Sequence, residues 1–302
     1  MKILVAGATG AIGSALLRAV HGSGHELVGM VRSDDAGKKL VAAGAGGVMG
    51  DALDAASVRD AVMKVRPDVI VNELTALPPH YTPEAMKEAG ERDTRVRLEG
   101  HANLLAAAEV AGVRRYVLQS SGFWYAPGAG KADESEPFAF EATPGIAAGC
   151  RTYETLEREL FAREKLQGVA LRYGFFYGPG TWFSKDGDVG EQVRQKKLPV
   201  VGKGEGVWSW VHIDDAAAAT LSAVECAPGV YNIVDDEPSP QSVWLPAFAR
   251  YLGAPEPGHV PELAAKMVAG ADAVYYATRL RGAANEKAKR ELGFRPRRLE
   301  WL

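Results

Sequence analysis

Seven residues near the N-terminus, Gly7-Ala-Thr-Gly10-Ala-Ile-Gly13, constrain this chain more than any other stretch. They follow a short apolar run, Lys2 to Ala6, and lead at once into a helical pattern beginning at Ser14. Strand, glycine turn and helix in that order form the context in which such a motif carries weight. A diphosphate can approach backbone N–H groups at a helix N-terminus, where unpaired donors and the helix dipole favour negative charge. A Cβ on Gly7 or Gly10 would obstruct that approach or the turn, and Gly13 lets helix and strand pack closely. A glycine-rich turn that binds nothing is the plainer reading, but flanks and spacing fit a dinucleotide site.

The 302 residues suffice for a full core in one large or two small domains. The net charge of −3 gives no bulk attraction to nucleic acid or an anionic membrane. Two cysteines, Cys150 and Cys226, have no metal-ligand spacing, so no metal is expected, and they suit a reducing cytoplasm. A strand starting at residue 2 leaves no room for a signal peptide, and no apolar run reaches the ~18 residues of a membrane span. The expected location is therefore cytoplasmic.

Strands are expected at Leu27 to Val31, Gly46 to Met49, Val69 to Asn72, Tyr116 to Gln119 and Val169 to Arg172. Helical patterns fall at Ser57 to Val65, Arg92 to Ala111 and Arg151 to Leu166, with loops at 77–83 and 126–145. Strands alternating with helices predict an α/β fold: a doubly wound parallel sheet whose ligands bind beyond the carboxyl ends of the strands. Residues 1–175 form the expected nucleotide-binding domain. Strands near 208–213 and 230–234 are expected to rejoin it, and Asp214-Asp215 to cap the Ala-rich helix that follows. Residues 176–302 are expected to be mainly a substrate-binding region.

Several pieces then occur in order: Gly50-Asp51, Asn103-Leu-Leu, Ser120-Ser121 followed by Tyr125, Leu171-Arg172, Tyr177-Gly-Pro-Gly180, Val211-His-Ile-Asp-Asp215, Tyr231-Asn-Ile, and Asn285 to Pro296. With the glycine turn they resemble the extended short-chain dehydrogenase/reductase family, its NAD(P)-dependent epimerase/dehydratase group, over nearly the whole chain. The resemblance implies a Rossmann-type domain, a smaller C-terminal substrate region and a nicotinamide cofactor. It places Gly7, Thr9, Gly10, Ala11, Ile12 and Gly13 at the diphosphate, and Asp51 and Ala52 against the adenine. Glu73, Leu74 and Thr75 then line the fourth-strand end, Gln119 the fifth, and Tyr173, Gly174 and Phe175 lie near the nicotinamide. It also implies a dimer through the helices at 92–111 and 150–166.

An acid ending the second strand ordinarily accepts hydrogen bonds from the adenosine ribose and selects NAD. Here that place is Val31, followed by Arg32 and Ser33. A guanidinium pairs with a 2′-phosphate and stacks on adenine, so NADP(H) is favoured over NAD(H). A solvated surface arginine is the plainer reading of Arg32; the missing acid beside it tilts the balance.

Family members use a hydroxyl after the fifth strand, with a Tyr and a Lys four residues apart on the next helix. By that resemblance Ser121 is the hydroxyl and Tyr153 the acid/base, but Glu157 stands where the Lys belongs. A carboxylate there would raise the Tyr153 pKa, which hinders general-base work and leaves general-acid work intact. Alternatively Glu157 is protonated or merely binds ribose hydroxyls while another cation, with Arg151 and Arg158 close in sequence, replaces the Lys. A third reading makes Tyr153 packing only.

Where nucleotide-sugar epimerases carry a diphosphate-clamping arginine, this chain has Trp208. Phe123, Trp124, Phe176, Trp182 and Phe183 add further rings, which suits an apolar or ring-bearing small molecule; the ordinary fate of such rings is the core. His80 is a candidate substrate contact, and His212 a structural residue. The expected function is NADP(H)-dependent reduction of a carbonyl in a small, partly apolar metabolite. An epimerase or dehydratase of a sugar-like substrate and a non-catalytic dinucleotide-binding regulator are the alternatives.

Overall fold

The computed structural model describes residues 1–302. The first half alternates strand and helix: β1 (Lys2–Ala6), α1 (Ala11–Ala19), β2 (Glu26–Val31), α2 (Asp34–Ala42), β3 (Gly46–Met49), α3 (Ala55–Val65), β4 (Val69–Asn72), α4 (Pro83–Ala111), β5 (Arg115–Ser121), α5 (Pro144–Phe161) and β6 (Gln167–Tyr173). Shorter elements follow: β7 (Phe175–Tyr177), α6 (Asp188–Arg194), β8 (Val200–Val201), β9 (Val207–Trp208), β10 (Trp210–His212), α7 (Ile213–Ala223) and β11 (Gly229–Ile233). The chain closes with β12 (Ser239–Pro240), α8 (Gln241–Tyr251), β13 (His259–Val260), α9 (Glu262–Thr278) and α10 (Glu286–Leu292). No helix is long and apolar enough to cross a membrane.

Seven strands make one parallel sheet in the order β11-β6-β5-β4-β1-β2-β3. Buried on both faces, β1, β2, β4 and β6 are almost continuously apolar. Their alternation sorts the core into two layers. Leu4, Ile70, Tyr116, Leu118 and Ala170 face one way and pack with α3, α4 and α5. Ile3, Val5, Val71, Val117, Leu171 and Tyr231 face the other, toward α1 and α7. The strand order reverses between β1 and β4, so the ligand crevice opens between the ends of those two strands.

The second half departs from expectation in one respect. β11 does join the main sheet beside β6, but the strand near 208–213 does not. It splits into β9, which pairs with β12, and β10, which pairs with β7 in a separate two-stranded ribbon. The chain leaves the main sheet at Gly174, and the Phe175 N–H is taken by the Ser209 carbonyl at 2.8 Å.

Two helices also begin earlier than their periodicity suggests. Pro83 and Pro144 lie in the first turns of α4 and α5, where a missing N–H costs nothing. Thr82 caps α4 by accepting from the Ala85 N–H. The cap of α7 is His212, whose Nδ1 accepts from the Asp214 N–H at 3.1 Å; Asp214 and Asp215 occupy the first turn instead.

Candidate active site

The glycine turn closes the β1 end of the crevice. Gly7 has φ +94°, and a Cβ there would lie 2.4 Å from the Glu73 carbonyl oxygen. A Cβ on Gly13 would meet the Gly7 carbonyl at the same distance. Only glycine therefore lets α1 rise this close to β1 and β4. Gly10 caps α1 without any side-chain hydrogen bond, and no acid lies in the first turn. The N–H groups of that turn remain free for a diphosphate, as a dinucleotide requires. Ile12 is core and offers only its backbone, whereas Thr9 and Ala11 are at the surface.

The other residues expected at the cofactor follow the ends of β2, β3 and β4. Val31 is buried and the exposed Arg32 follows it; Ser33 caps α2 by accepting from the Ala36 N–H. Asp51 shapes its turn by accepting from Leu53 N–H, and the Ala52 carbonyl takes the Asn103 amide at 2.8 Å. Leu74 and Thr75 continue the β4 end, half-buried. Polar side-chain atoms are also buried near the ends of β4, β5 and β6. Gln119 Oε1, Ser121 Oγ and Glu73 Oε2 have no protein partner, and the Tyr173 hydroxyl donates to Glu73 Oε1 at 3.2 Å. Burial pushes the Glu73 carboxyl up to about 8, so it is largely protonated at neutral pH.

Glu157 does not stand against the Tyr153 phenol as expected. Ser120 and Arg172 are register partners on β5 and β6, and both side chains rise toward α5. Arg172 Nε donates to Glu157 Oε1 at 2.8 Å and Nη2 to Oε2 at 2.7 Å, while Ser120 Oγ donates to Oε1 at 2.6 Å. Arg172 also donates to Tyr125, which donates to Asn232 Oδ1. Glu157 is thus consumed by a buried structural network, and its assignment to catalysis is corrected on that ground. Arg151 and Arg158 do not stand in for the Lys: both project from the exposed side of α5.

The charges around Tyr153 come from elsewhere. Arg97 of α4 lies over its ring, with the guanidinium carbon 5.2 Å from the centroid. Arg97 is oriented by Asp93, whose Oδ2 accepts from Nε at 2.7 Å and whose Oδ1 accepts from the Ala76 N–H. Burial holds the phenol above its ordinary range; Arg97 pulls it down, and Asp93, Glu73 and Cys150 push it up. Tyr153 is therefore neutral at physiological pH and suited to donate a proton or hydrogen bond.

One ring packs beside this phenol, and a run of further aromatic contacts continues from it. Trp124 lies 5.7 Å from Tyr153, centroid to centroid, and donates its indole N–H to the Tyr276 hydroxyl at 3.0 Å. Phe123 stacks on Phe175 at 4.2 Å, and Phe175 on Trp208 at 4.1 Å. Trp208 is almost fully buried and anchored to the Tyr276 carbonyl, so it forms the packed back of the wall. Trp182 packs on Tyr81 and donates to the Pro79 carbonyl. His80 points outward, its ring exposed and paired with Asp188 at 2.8 Å, and so does not join these rings.

Arg97, Asp93 and Tyr276 were not foreseen. The signal for Arg97 was its place on the inner stripe of α4, where Arg97, His101, Leu104 and Ala108 recur at helical spacing and are all buried.

The family model for the NAD dependent epimerase/dehydratase family matches residues 3–233. Over 304 aligned positions the chain is 43% identical to a 3-diazoavenalumate denitrifying reductase from Streptomyces sp, covering all of this chain and 98% of that one. It is 28% identical to a 2-alkyl-3-oxoalkanoate reductase from Stenotrophomonas maltophilia (strain K279a), over 84% of this chain and 77% of that one. Among solved structures, UDP-glucose 4-epimerase from Thermus thermophilus in complex with NAD superposes with TM-score 0.76 at 24% identity, covering 98% and 94% of the two chains. That likeness concerns the fold. With a family match across most of its length and a full-length reductase relative, the chain belongs to the NAD-dependent epimerase/dehydratase family and is an NAD(P)-dependent enzyme of oxidoreductase type.

Proposed function

We propose that this enzyme is an NADP(H)-dependent reductase of a small, partly apolar, ring-bearing or acyl carbonyl compound. The observation that carries the reading is the buried, neutral Tyr153 phenol with the Trp124 ring packed beside it. A base for alcohol oxidation needs a phenolate, which burial above all, and the Asp93 carboxylate, oppose here; an acid for carbonyl reduction needs the phenol. The named reductase relatives point the same way.

A nicotinamide cofactor, when bound, would supply hydride. The glycine turn and the free N–H groups of α1 would hold its diphosphate, and Arg32 with Ser33 would receive the 2′-phosphate. Ser121 Oγ, which has no protein partner, and the Tyr153 hydroxyl would bind the carbonyl oxygen, with Tyr153 the proton donor to it. Phe123, Trp124 and Tyr276 exclude water and orient the substrate's apolar part. Residues 1–175 supply the cofactor half and 176–302 most of the substrate wall. A homodimer through the outer faces of α4 and α5, where Val110 and Phe161 are exposed, belongs to the same proposal.

The full-length relative favours a second reading within the same reductive class: loss of dinitrogen from an aryl diazo compound. Hydride added to an aryl diazonium gives Ar–H and N2, so atoms and charge balance without a proton donor. One experiment separates the two. NADPH consumption is followed with a panel of 3-oxo acids, aryl aldehydes and an aryl diazonium, using the parent and Tyr153→Phe. Carbonyl reduction lost in Tyr153→Phe supports the first reading. Consumption by the diazonium alone, with N2 released and Tyr153→Phe unaffected, supports the second. No NADPH oxidation with any of them overturns both.

A further inference from the structure

With Glu157 committed to Arg172, α5 offers no cation to the phenol four residues before it. The opposite helix does. Arg97 is buried, lies over the Tyr153 ring at 5.2 Å, and is fixed by Asp93 one helical turn away. Its hydrogen bonding differs from that of the structural arginines. Arg172 gives its N–H groups to Glu157, Tyr125 and the Glu134 carbonyl. Arg281 gives its own to three carbonyls and Glu136. Arg97 uses only Nε, toward Asp93, and its two terminal nitrogens have no protein acceptor. A guanidinium held by one edge beside a phenol, with the other edge free, is arranged to act on what lies next to it.

We propose that Arg97 is the positioning residue for Tyr153, supplying from α4 the positive charge that Glu157 cannot supply from α5. This rests on Tyr153 being the proton donor argued above. As the O–H bond breaks and the proton passes to the substrate oxygen, negative charge remains on the phenolate. Arg97 faces that charge until a proton from solvent restores the phenol. The groups that face Tyr153 are Arg97 and Asp93 on α4, Glu73 at the end of β4, Cys150 on its own helix and the Tyr276 phenol on α9. Arg97 is the only cation among them, so moving it changes the balance in one direction.

The test reads the phenol directly and needs no turnover, so it stands even if no substrate is consumed. 3-Nitrotyrosine placed at position 153 titrates visibly, and its pKa is compared in the parent, Arg97→Gln and Arg97→Lys backgrounds. An opposite charge at this range moves a pKa by about 1–3 units, so Arg97→Gln raises it by about that much and Arg97→Lys restores most of the change. Equal values in parent and Arg97→Gln, or Arg97→Lys behaving as Arg97→Gln, overturn the proposal. If Arg97→Gln alone does not fold, Asp93→Asn is compared with Asp93→Asn/Arg97→Gln, with the same expectation. On active enzyme, Arg97→Gln lowers kcat more than it raises substrate KM; a change in KM alone speaks for substrate binding and against this role.

Discussion

Glu157 and Arg172 form a buried, two-pronged ion pair beneath α5, with both contacts under 3 Å and neither side chain more than 9% exposed. The pair occupies the place where a family member's lysine would rise toward the phenol. The geometry has a counter-intuitive consequence. Glu157→Lys restores the usual Tyr-x-x-x-Lys spacing, yet it sets two cations against each other in the core. Breaking a buried pair by removing one partner costs about 3–5 kcal/mol. Glu157→Ala should lose that much in denaturant unfolding and Glu157→Lys at least as much, with no gain in activity. Glu157→Met with Arg172→Met should recover most of the stability. A Glu157→Lys protein as stable as the parent would refute the structural assignment.

The second prediction concerns Glu73. Its folded-state pKa of about 8 exceeds the ordinary carboxyl value of 4.5 because burial penalises the charged form. Between those values the folded chain holds a proton that the unfolded chain has released. Stability from this group is thus fully present below about 4.5 and is lost as pH rises through about 8. Glu73→Gln keeps the shape and an acceptor for the Tyr173 hydroxyl but does not ionise. It should match the parent near pH 5 and exceed it above pH 8 by on the order of a few kcal/mol, since one pKa unit is about 1.36 kcal/mol. Parallel pH–stability curves for the two proteins would contradict this.

How far the sequence could be read follows from how local each signal is. The Gly7–Gly13 turn and the apolar strands were legible because turn sterics and two-faced burial leave their mark on adjacent residues. The parallel sheet followed from their alternation with helices. The true partner of Glu157 was not legible: Ser120 and Arg172 meet it only through the register of β5 and β6. Arg97 was missed because an arginine on a helix ordinarily reads as solvated, and because α4 was expected to start at residue 92, giving its inner stripe little length. The proline-rich stretch 77–83 did read as loop, but Pro83 already opens the helix. His80 looked like a pocket residue from its neighbours and proves to be tied to Asp188 at the surface.

The third prediction tests cofactor choice. Arg32 is exposed at the carboxyl end of β2, with no acid on the strand's last residue, Val31, and no salt bridge of its own. A charge-assisted hydrogen bond contributes about 1.5–3 kcal/mol, so Arg32→Ala should weaken NADPH by about 10- to 150-fold and leave NADH nearly unchanged. Fluorescence titration with both cofactors measures the ratio. Equal weakening of NADPH and NADH, or none, would remove Arg32 from the 2′-phosphate site.

The last prediction uses two glycines in helices to ask whether Trp124 shapes the substrate wall. In a helix interior Gly→Ala should stabilise by about 0.8–1 kcal/mol. Gly90 in α4 has open space around its missing Cβ, so Gly90→Ala should show that gain. Gly149 in α5 is different: a Cβ there would lie 2.4 Å from the Trp124 ring. Overpacking costs about 1–3 kcal/mol, which outweighs the helical gain. Gly149→Ala should therefore be no more stable than the parent, and the ring it displaces is the one bonded to Tyr276 and packed beside Tyr153. Because the glycine turn and α1 lie on the other side of the sheet, the Kd for NADPH should hold while substrate KM rises. A Gly149→Ala protein stabilised like Gly90→Ala, with an unchanged KM, would show that Trp124 moves freely and does not set the pocket.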